Sequence, residues 1–403
     1  MIEELSWVLI SAVAGISAVL FWNFVSRIKP NITLAIKDNV KNVINIKGAA
    51  GSELVEDSQP GASVEVLFGT NRNLVEKEGT QETPKSINFD FSKQKAQKLS
   101  LGVTEISIPT KKHVAGKIER PGIFSLITGE SKERHFVLQS ANLLNKTNFV
   151  DRVRSYDFES ANFKHSAMVF IHGFTTKPKD ALFRTAQLKF DLQFDGPAFT
   201  FIWPTSNNYL RDIDVARASA VSLGQLIQII DSIPGINQIN IIAHSLGNTA
   251  LVELFSRAET TFKSESTTIK QIILAAPDID KDIFDQVSEN FERKRATATI
   301  YASSNDRALM VSRKFREGLT RVGEIVNGNA VVCSGIDTID ISAVGTRWFS
   351  WNHSSYAESR FLMDDIAGLF STGLRPPDKR SPILRKIHQA DQIFWRVPKS
   401  KSG

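Results

Sequence analysis

Cysteine is nearly absent from this chain of 403 residues: Cys333 stands alone, so no intramolecular disulfide can form. Its context, NAVVCSG, holds no second thiol or histidine at ligand spacing, and the thiol reads as a core group rather than a nucleophile. No H-E-x-x-H and no cysteine pair occurs, so neither a bound metal nor metal catalysis is expected. No Walker A pattern or G-x-G-x-x-G follows a strand-like run, and no cofactor is expected. Excess charge is missing from most of the chain as well. From Arg375 onward, eight Lys/Arg face only Asp378 and Asp391, which equals the whole formal net charge of +6. The remainder is close to neutral, which excludes the basic groove of a nucleic-acid enzyme. The basic segment carries Ile393, Phe394 and Trp395, and reads either as a tail lying on anionic lipid or as a solvated tail docked on the domain.

What the sequence does have begins with a long apolar run. LSWVLISAVAGISAVLFWNFVS, from Leu5 to Ser26, holds no charged residue over 22 positions. At about 1.5 Å per residue such a helix crosses roughly 30 Å of hydrocarbon. Trp7 and Trp22 lie near its two ends, where amphipathic rings favour the membrane interface. Glu3 and Glu4 precede the run where a signal peptide wants positive charge, so residues 1–29 are expected to be a single-pass anchor. Arg27, Lys29, Lys37 and Lys41 follow it, which places the body in the cytoplasm by the positive-inside rule. Long domains weaken that rule, and a periplasmic body stays open. Residues 30–62 read as a polar stalk, residues 63–374 as the main domain and residues 375–403 as the basic tail.

From Ala167 onward the pattern alternates. AMVFIHG, AFTFIW, INIIA, KQIILAA, TATIYAS and DTIDISA are strand-like runs. Between them lie helical stretches such as the one bearing Leu223, Leu226, Ile227 and Ile230 at i, i+3, i+4 and i+7. Near-continuous apolar strands, each followed by a helix, specify an α/β fold with a mostly parallel sheet covered on both faces. In such sheets the chemistry collects at the carboxyl ends of the strands.

At one such end the chain reads AHSLG, Ala243 to Gly247, between a buried strand and an apolar helix. This is the setting of the G-x-S-x-G nucleophile turn, whose sharpness demands small residues two before and two after the serine. Gly247 meets that demand, and Ala243 stands in for the first glycine with one added methyl. Ser245 is therefore the candidate nucleophile. It needs a base, and the base needs an orienting carboxylate, following in the order Ser, Asp/Glu, His. Only His353, in SWNHSSY, and His388 come after a plausible acid, and His388 lies in the basic segment outside the sheet pattern. His353 is the expected base. The favoured acid is Asp306, after the second strand beyond the serine, with Asp278 in LAAPDID as the alternative. If Asp306 is the acid, Asp278 and Asp280 cap a helix or brace a loop. The oxyanion hole needs two backbone N–H groups, expected from Leu246 and from Phe174 after VFIHGF. His172 reads as a loop brace rather than a base.

With these motifs in view, the chain resembles the α/β-hydrolase superfamily, in particular a bacterial esterase/lipase-like branch described as alpha/beta hydrolase of unknown function. The resemblance rests on VLFGTNR, LGVTEISIP, GKIERP, VFIHGF, DALFRTAQL, FIWPT, AHSLGN, LAAPDID, YASSNDRAL and NHSSY, across about residues 64 to 371. It implies a serine hydrolase cleaving a small-molecule or lipid ester or thioester, and it leaves the substrate open. An acyltransferase using the same three residues, or a non-catalytic binding module, are the alternatives.

Overall fold

The structure is a computed structural model that describes residues 61–76, 89–121, 129–159, 162–257, 268–293, 295–304, 319–344 and 356–398. The expected anchor, residues 1–29, and the expected stalk, residues 30–62, apart from Gly61 and Ala62, lie outside them, as do Asp306 and His353.

Three strands come first: β1 (Ala62–Glu76), β2 (Phe89–Ile108) and β3 (Val137–Leu144). The alternating part runs α1 (Lys146–Arg154), β4 (Ser166–Ile171), α2 (Pro178–Asp191), β5 (Ala198–Ile202), α3 (Tyr209–Asp231), β6 (Gln238–His244) and α4 (Gly247–Ser256). It continues through β7 (Thr268–Ala275), α5 (Lys281–Arg293) and β8 (Thr297–Ala302). The short pair β9 (Ile325–Val326) and β10 (Asn329–Ala330), then β11 (Asp337–Asp340), α6 (Tyr356–Thr372), β12 (Arg385–Gln389) and β13 (Gln392–Arg396) complete the order.

Eleven of these strands form one sheet in the order β12-β13-β11-β8-β7-β6-β4-β5-β1-β2-β3. The eight from β13 to β1 are parallel to their neighbours, and antiparallel pairs close both edges. Period-two alternation divides the buried strands between two cores. Ala167, Val169 and Ile171 of β4 and Ile239, Ile241 and Ala243 of β6 face the layer built with α1, α3, α4 and α5. Met168, Phe170 and Ile242 face the opposite layer, where α6 and the end of α2 supply Leu362, Ile366 and Leu188. Helices thus cover both faces, as the apolar strands require.

Among the described residues, α3 is long and apolar enough to cross a membrane, but its stripe of Ala216, Ala220, Leu223, Leu226, Ile227 and Ile230 is fully buried in the first core. It is a core helix.

Two boundaries differ from the sequence expectation. The runs SVEVLFG (63–69) and VTEISIP (103–109) read as strands separated by a polar loop, but FDFSKQKAQ within that stretch is the first half of β2 and pairs with the end of β1. More consequentially, residues 375–398 of the expected tail are folded into the domain. β13 joins the sheet beside β11, with Phe394 fully buried and Trp395 nearly so. The cations that suggested a lipid surface are partly spent inside the fold: Arg375 pairs with Asp337 at 2.7 Å, Arg380 with Asp365 at 3.1 Å and Arg396 with Asp340 at 2.6 Å. The Arg380 and Asp365 side chains are 2% and 0% exposed, and Trp395 Nε1 donates to Asp378 at 3.0 Å. Sequence composition counts charges but not their partners, and here each partner comes from an element more than a dozen residues away.

A further ion cluster fastens the loop after β2 to α2. The His113 side chain, 5% exposed, lies with Nδ1 2.9 Å from Glu119 and Nε2 2.7 Å from Asp191. Burial opposes its charge, but the hydrogen bonds to Asp191 and Glu119 and the charges of both outweigh it, pushing the pKa from 6.5 up to about 9. A folded-state pKa above the unfolded one stabilises the fold fully below the unfolded value, and that stabilisation is lost as pH rises through the folded value. Urea denaturation should therefore show stability falling between about pH 6.5 and 9, and His113→Gln should flatten that part of the profile.

Candidate active site

Ser245 sits between the end of β6 and the start of α4, at the carboxyl edge of the sheet, with a left-handed φ of 50°. A non-glycine residue there costs about 1–3 kcal/mol and persists only where its surroundings over-determine it. Here they do. The Ser245 N–H donates to Ala275 O at 2.9 Å, and its carbonyl accepts from the Asn248 N–H at 3.1 Å and from Asn248 Nδ2 at 2.9 Å. The hydroxyl-bearing residue is 4% exposed, and Asn248 is fully buried.

The turn is wedged against the end of β4. A Cβ on Gly247 would lie 2.4 Å from His172 O, and one on Gly173 would lie 3.0 Å from Ser245 Cβ and 2.9 Å from His244 Nδ1. The approach at Gly247 is shorter than real Cβ contacts and meets backbone, so that position requires glycine; at Gly173 a methyl would force His244 and Ser245 to give way. Ala243, the departure from the usual first glycine, is fully buried between Ile171 of β4 and Leu274 of β7, where a methyl fits.

The residues of the two expected oxyanion donors adjoin this wedge, one on each side. Leu246 follows Ser245 as the N-cap of α4, where the first N–H groups of a helix lack intrahelical partners. Phe174 follows Gly173 directly, and its ring packs edge-on against Tyr209 at 5.6 Å. A helix N-terminus and a loop amide aimed at one point stabilise a developing anion.

His172 is a brace. The Trp203 N–H donates to its Nε2 at 3.2 Å, its Nδ1 lies 3.0 Å from Gly173 O, and Trp203 Nε1 donates to His172 O at 2.7 Å. The two rings stack with 5° between planes. An Nε2 that accepts leaves the proton on Nδ1. Burial, then the charge of Arg72, lowers the pKa to about 3, so the ring stays neutral.

Arg72 and Asn71, in the GTNR run to which sequence reasoning gave no role, hold the next loop. Arg72 is 3% exposed and donates to Trp203 O at 3.0 Å, to Ser92 O at 3.1 Å and to Thr205 Oγ1 at 3.0 Å. Burial lowers its pKa to about 10, partly offset by Asp212, so it keeps its charge at neutral pH. The signal was an arginine at the end of an apolar run, but its partners lie 20, 131 and 133 residues away.

Asp278 is buried behind the turn. Its N–H lies 3.4 Å from Ser245 O, Tyr209 donates to its Oδ2 at 2.7 Å, and Arg321, itself 2% exposed, lies 3.5 Å from Oδ1. Asp280 accepts from the Asp282 N–H at 3.0 Å and so caps α5. Asp306, four residues beyond β8, and His353, in the segment before α6, are outside the described residues, so only Ser245, Phe174, Leu246 and Asp278 of the expected site are brought together here. Among the described residues no group of three or more His, Cys, Asp or Glu is placed to hold a metal ion.

A parallel sheet flanked by helices, with a serine in a left-handed strand–turn–helix junction at its carboxyl edge, defines an α/β-hydrolase fold. Residues 151–369 match the family described as alpha/beta hydrolase of unknown function (DUF900), and the chain belongs to that family. No curated protein sequence matches it. Among solved structures it is similar to "the putative cell surface hydrolase from Lactobacillus plantarum WCFS1", at 11% identity over 55% of this chain and 96% of that one, with a TM-score of 0.32.

The wedge makes a sharp comparison possible. Gly247→Ala drives a methyl into the His172 carbonyl and should lower unfolding stability by about 1–3 kcal/mol. Gly368→Ala in α6 meets nothing within 4 Å and should be neutral or stabilising by up to about 1 kcal/mol. Urea denaturation of the pair checks this; equal effects would mean that the turn is not tightly held.

Proposed function

We propose that the protein is a serine hydrolase that cleaves a carboxylic ester or thioester through an acyl-enzyme. The observation that carries this reading is the left-handed Ser245 at the head of α4, a strained conformation at the carboxyl edge of the sheet of the kind that presents a nucleophilic hydroxyl. In the reaction, His353 takes the proton of Ser245 as Oγ attacks the carbonyl carbon. The carbonyl oxygen becomes an oxyanion facing the N–H groups of Leu246 and Phe174. Collapse of this intermediate expels the alcohol or thiol, which receives the proton from His353, and water then repeats the sequence to free the acid. Asp306 orients the imidazole and stabilises its charged form. Asp278 serves the turn instead, a role supported by its bonds to Tyr209 and Arg321. Residues 1–29 anchor the chain in a membrane, with the body on the cytoplasmic side, a reading supported by the uncharged run Leu5–Ser26 and the lysines and arginine after it.

Steady-state kinetics on short-chain esters test the assignment. Ser245→Ala should lower kcat by roughly 10⁴- to 10⁶-fold with the fold intact. Asp306→Asn should cost about 10⁴-fold and Asp278→Asn far less, because the triad acid fixes the histidine tautomer. The opposite ranking would move the acid to Asp278, and wild-type activity in Ser245→Ala would overturn the mechanism.

A further inference from the structure

The parallel part of β1 ends where Thr70 pairs with Ile202 of β5. β1 does not stop there: Asn71 to Glu76 continue past the carboxyl edge, paired with the first residues of β2 through two register shifts. Six residues at about 3.3 Å each make an arm of roughly 20 Å standing over the edge that carries Ser245. Its inner side is aromatic. Phe89 and Phe91 meet edge-on at 5.4 Å, and Phe91 also contacts Phe68 at 5.7 Å.

Between this arm, β3, the start of α2 and the loops after β4 and β5 lies a cleft of about 850 Å³. Phe89, Phe91, Leu138 and Leu182 give it an apolar interior. Arg72, Lys93, Lys177 and Lys179 outnumber Asp90 and Glu130 around it, and Glu130 is already paired with Lys179 at 2.8 Å. Arg72 is held by two carbonyls and a hydroxyl and feels the charge of Asp212, which leaves Lys93 and Lys177 as the cations for a ligand. The loop after β4 links the cleft to the Ser245 turn. Gly173 touches the Ser245 turn, and Thr175, two residues on, lines the cleft, with its Cα no more than about 8 Å from that of Gly173. Clefts of this size and lining hold a mostly apolar ligand with few polar contacts.

We infer that this cleft binds the substrate, an anionic amphiphile whose apolar chain lies along the Phe89–Phe91 arm and whose negative group is met by Lys93 and Lys177 at the mouth. The inference rests on the serine-hydrolase reading for the ester bond, but the binding step does not. The juxtaposition of the arm with the oxyanion loop explains why β1 and β2 extend beyond the sheet, and the lysines explain how one end of the ligand is told from the other.

Two measurements on the full-length protein test it. The first is the ratio of kcat/KM for p-nitrophenyl decanoate to that for p-nitrophenyl acetate. Phe91→Ala and Leu138→Asn should each lower it at least tenfold. The second uses Ser245→Ala, which forms no acyl-enzyme, and follows saturable binding of dansylaminoundecanoate by fluorescence. Lys93→Glu with Lys177→Glu in that background should weaken the carboxylate at least tenfold and its methyl ester less than threefold. A chain-length ratio unmoved by both apolar variants, or equal binding of the acid and its ester in every variant, would overturn the inference. Binding that behaves as expected in a protein that hydrolyses no ester would keep the cleft as a ligand site and sink the hydrolase reading instead.

Discussion

The contact on which the site depends is the backbone-to-backbone approach of the β4 end to the turn between β6 and α4. Gly247 faces His172 O with no room for a methyl, and Gly173 faces Ser245 and His244 with little. That approach accompanies the left-handed conformation of the serine and the pairing of β4 and β6 as sheet neighbours. Everything behind it serves to hold it. Asn248 ties Ser245 O into α4, Ala275 O receives the Ser245 N–H, and the His172–Trp203 stack fixes the strand end from below. The strain of one residue, about 1–3 kcal/mol, is small against the core that opposes its release.

The edges of the sheet are managed by charge and by covering strands. At one edge, β12 and β13 fold back on β11, and arginines of this segment pair with Asp337, Asp340 and Asp365. Only Arg380–Asp365 is buried on both sides; such a pair adds little net stability over apolar packing, but losing one partner strands a charge. The pairs therefore specify where the C-terminal hairpin docks more than how firmly. At the other edge, β2 and β3 cover β1, and the same hairpin extends into the arm above the carboxyl end. One edge thus closes the fold and the other carries a candidate ligand wall.

Much of this was legible in the sequence, for identifiable reasons. The strands β4 to β8 announce themselves because burial on both faces demands unbroken apolar runs, and the turn at Ser245 because only small residues survive there. The C-terminal hairpin was not legible. RKIHQADQIFWR reads as basic and aromatic, and nothing local reveals that Arg396 meets Asp340 or that Trp395 meets Asp378. The roles of Arg72, Asn71 and Asn248 were hidden likewise, since their function is to satisfy carbonyls and hydroxyls of distant or neighbouring turns. The first half of β2 is polar because its outer face is solvated, which is also how a loop looks.

Covalent labelling addresses the central claim most directly. Full-length protein treated with a fluorophosphonate, which reacts only with an activated serine, should carry a single adduct on Ser245 when its peptides are sequenced by mass spectrometry. Denaturation beforehand should abolish it. A folded protein that stays unlabelled, or carries the adduct on another serine, would contradict the account.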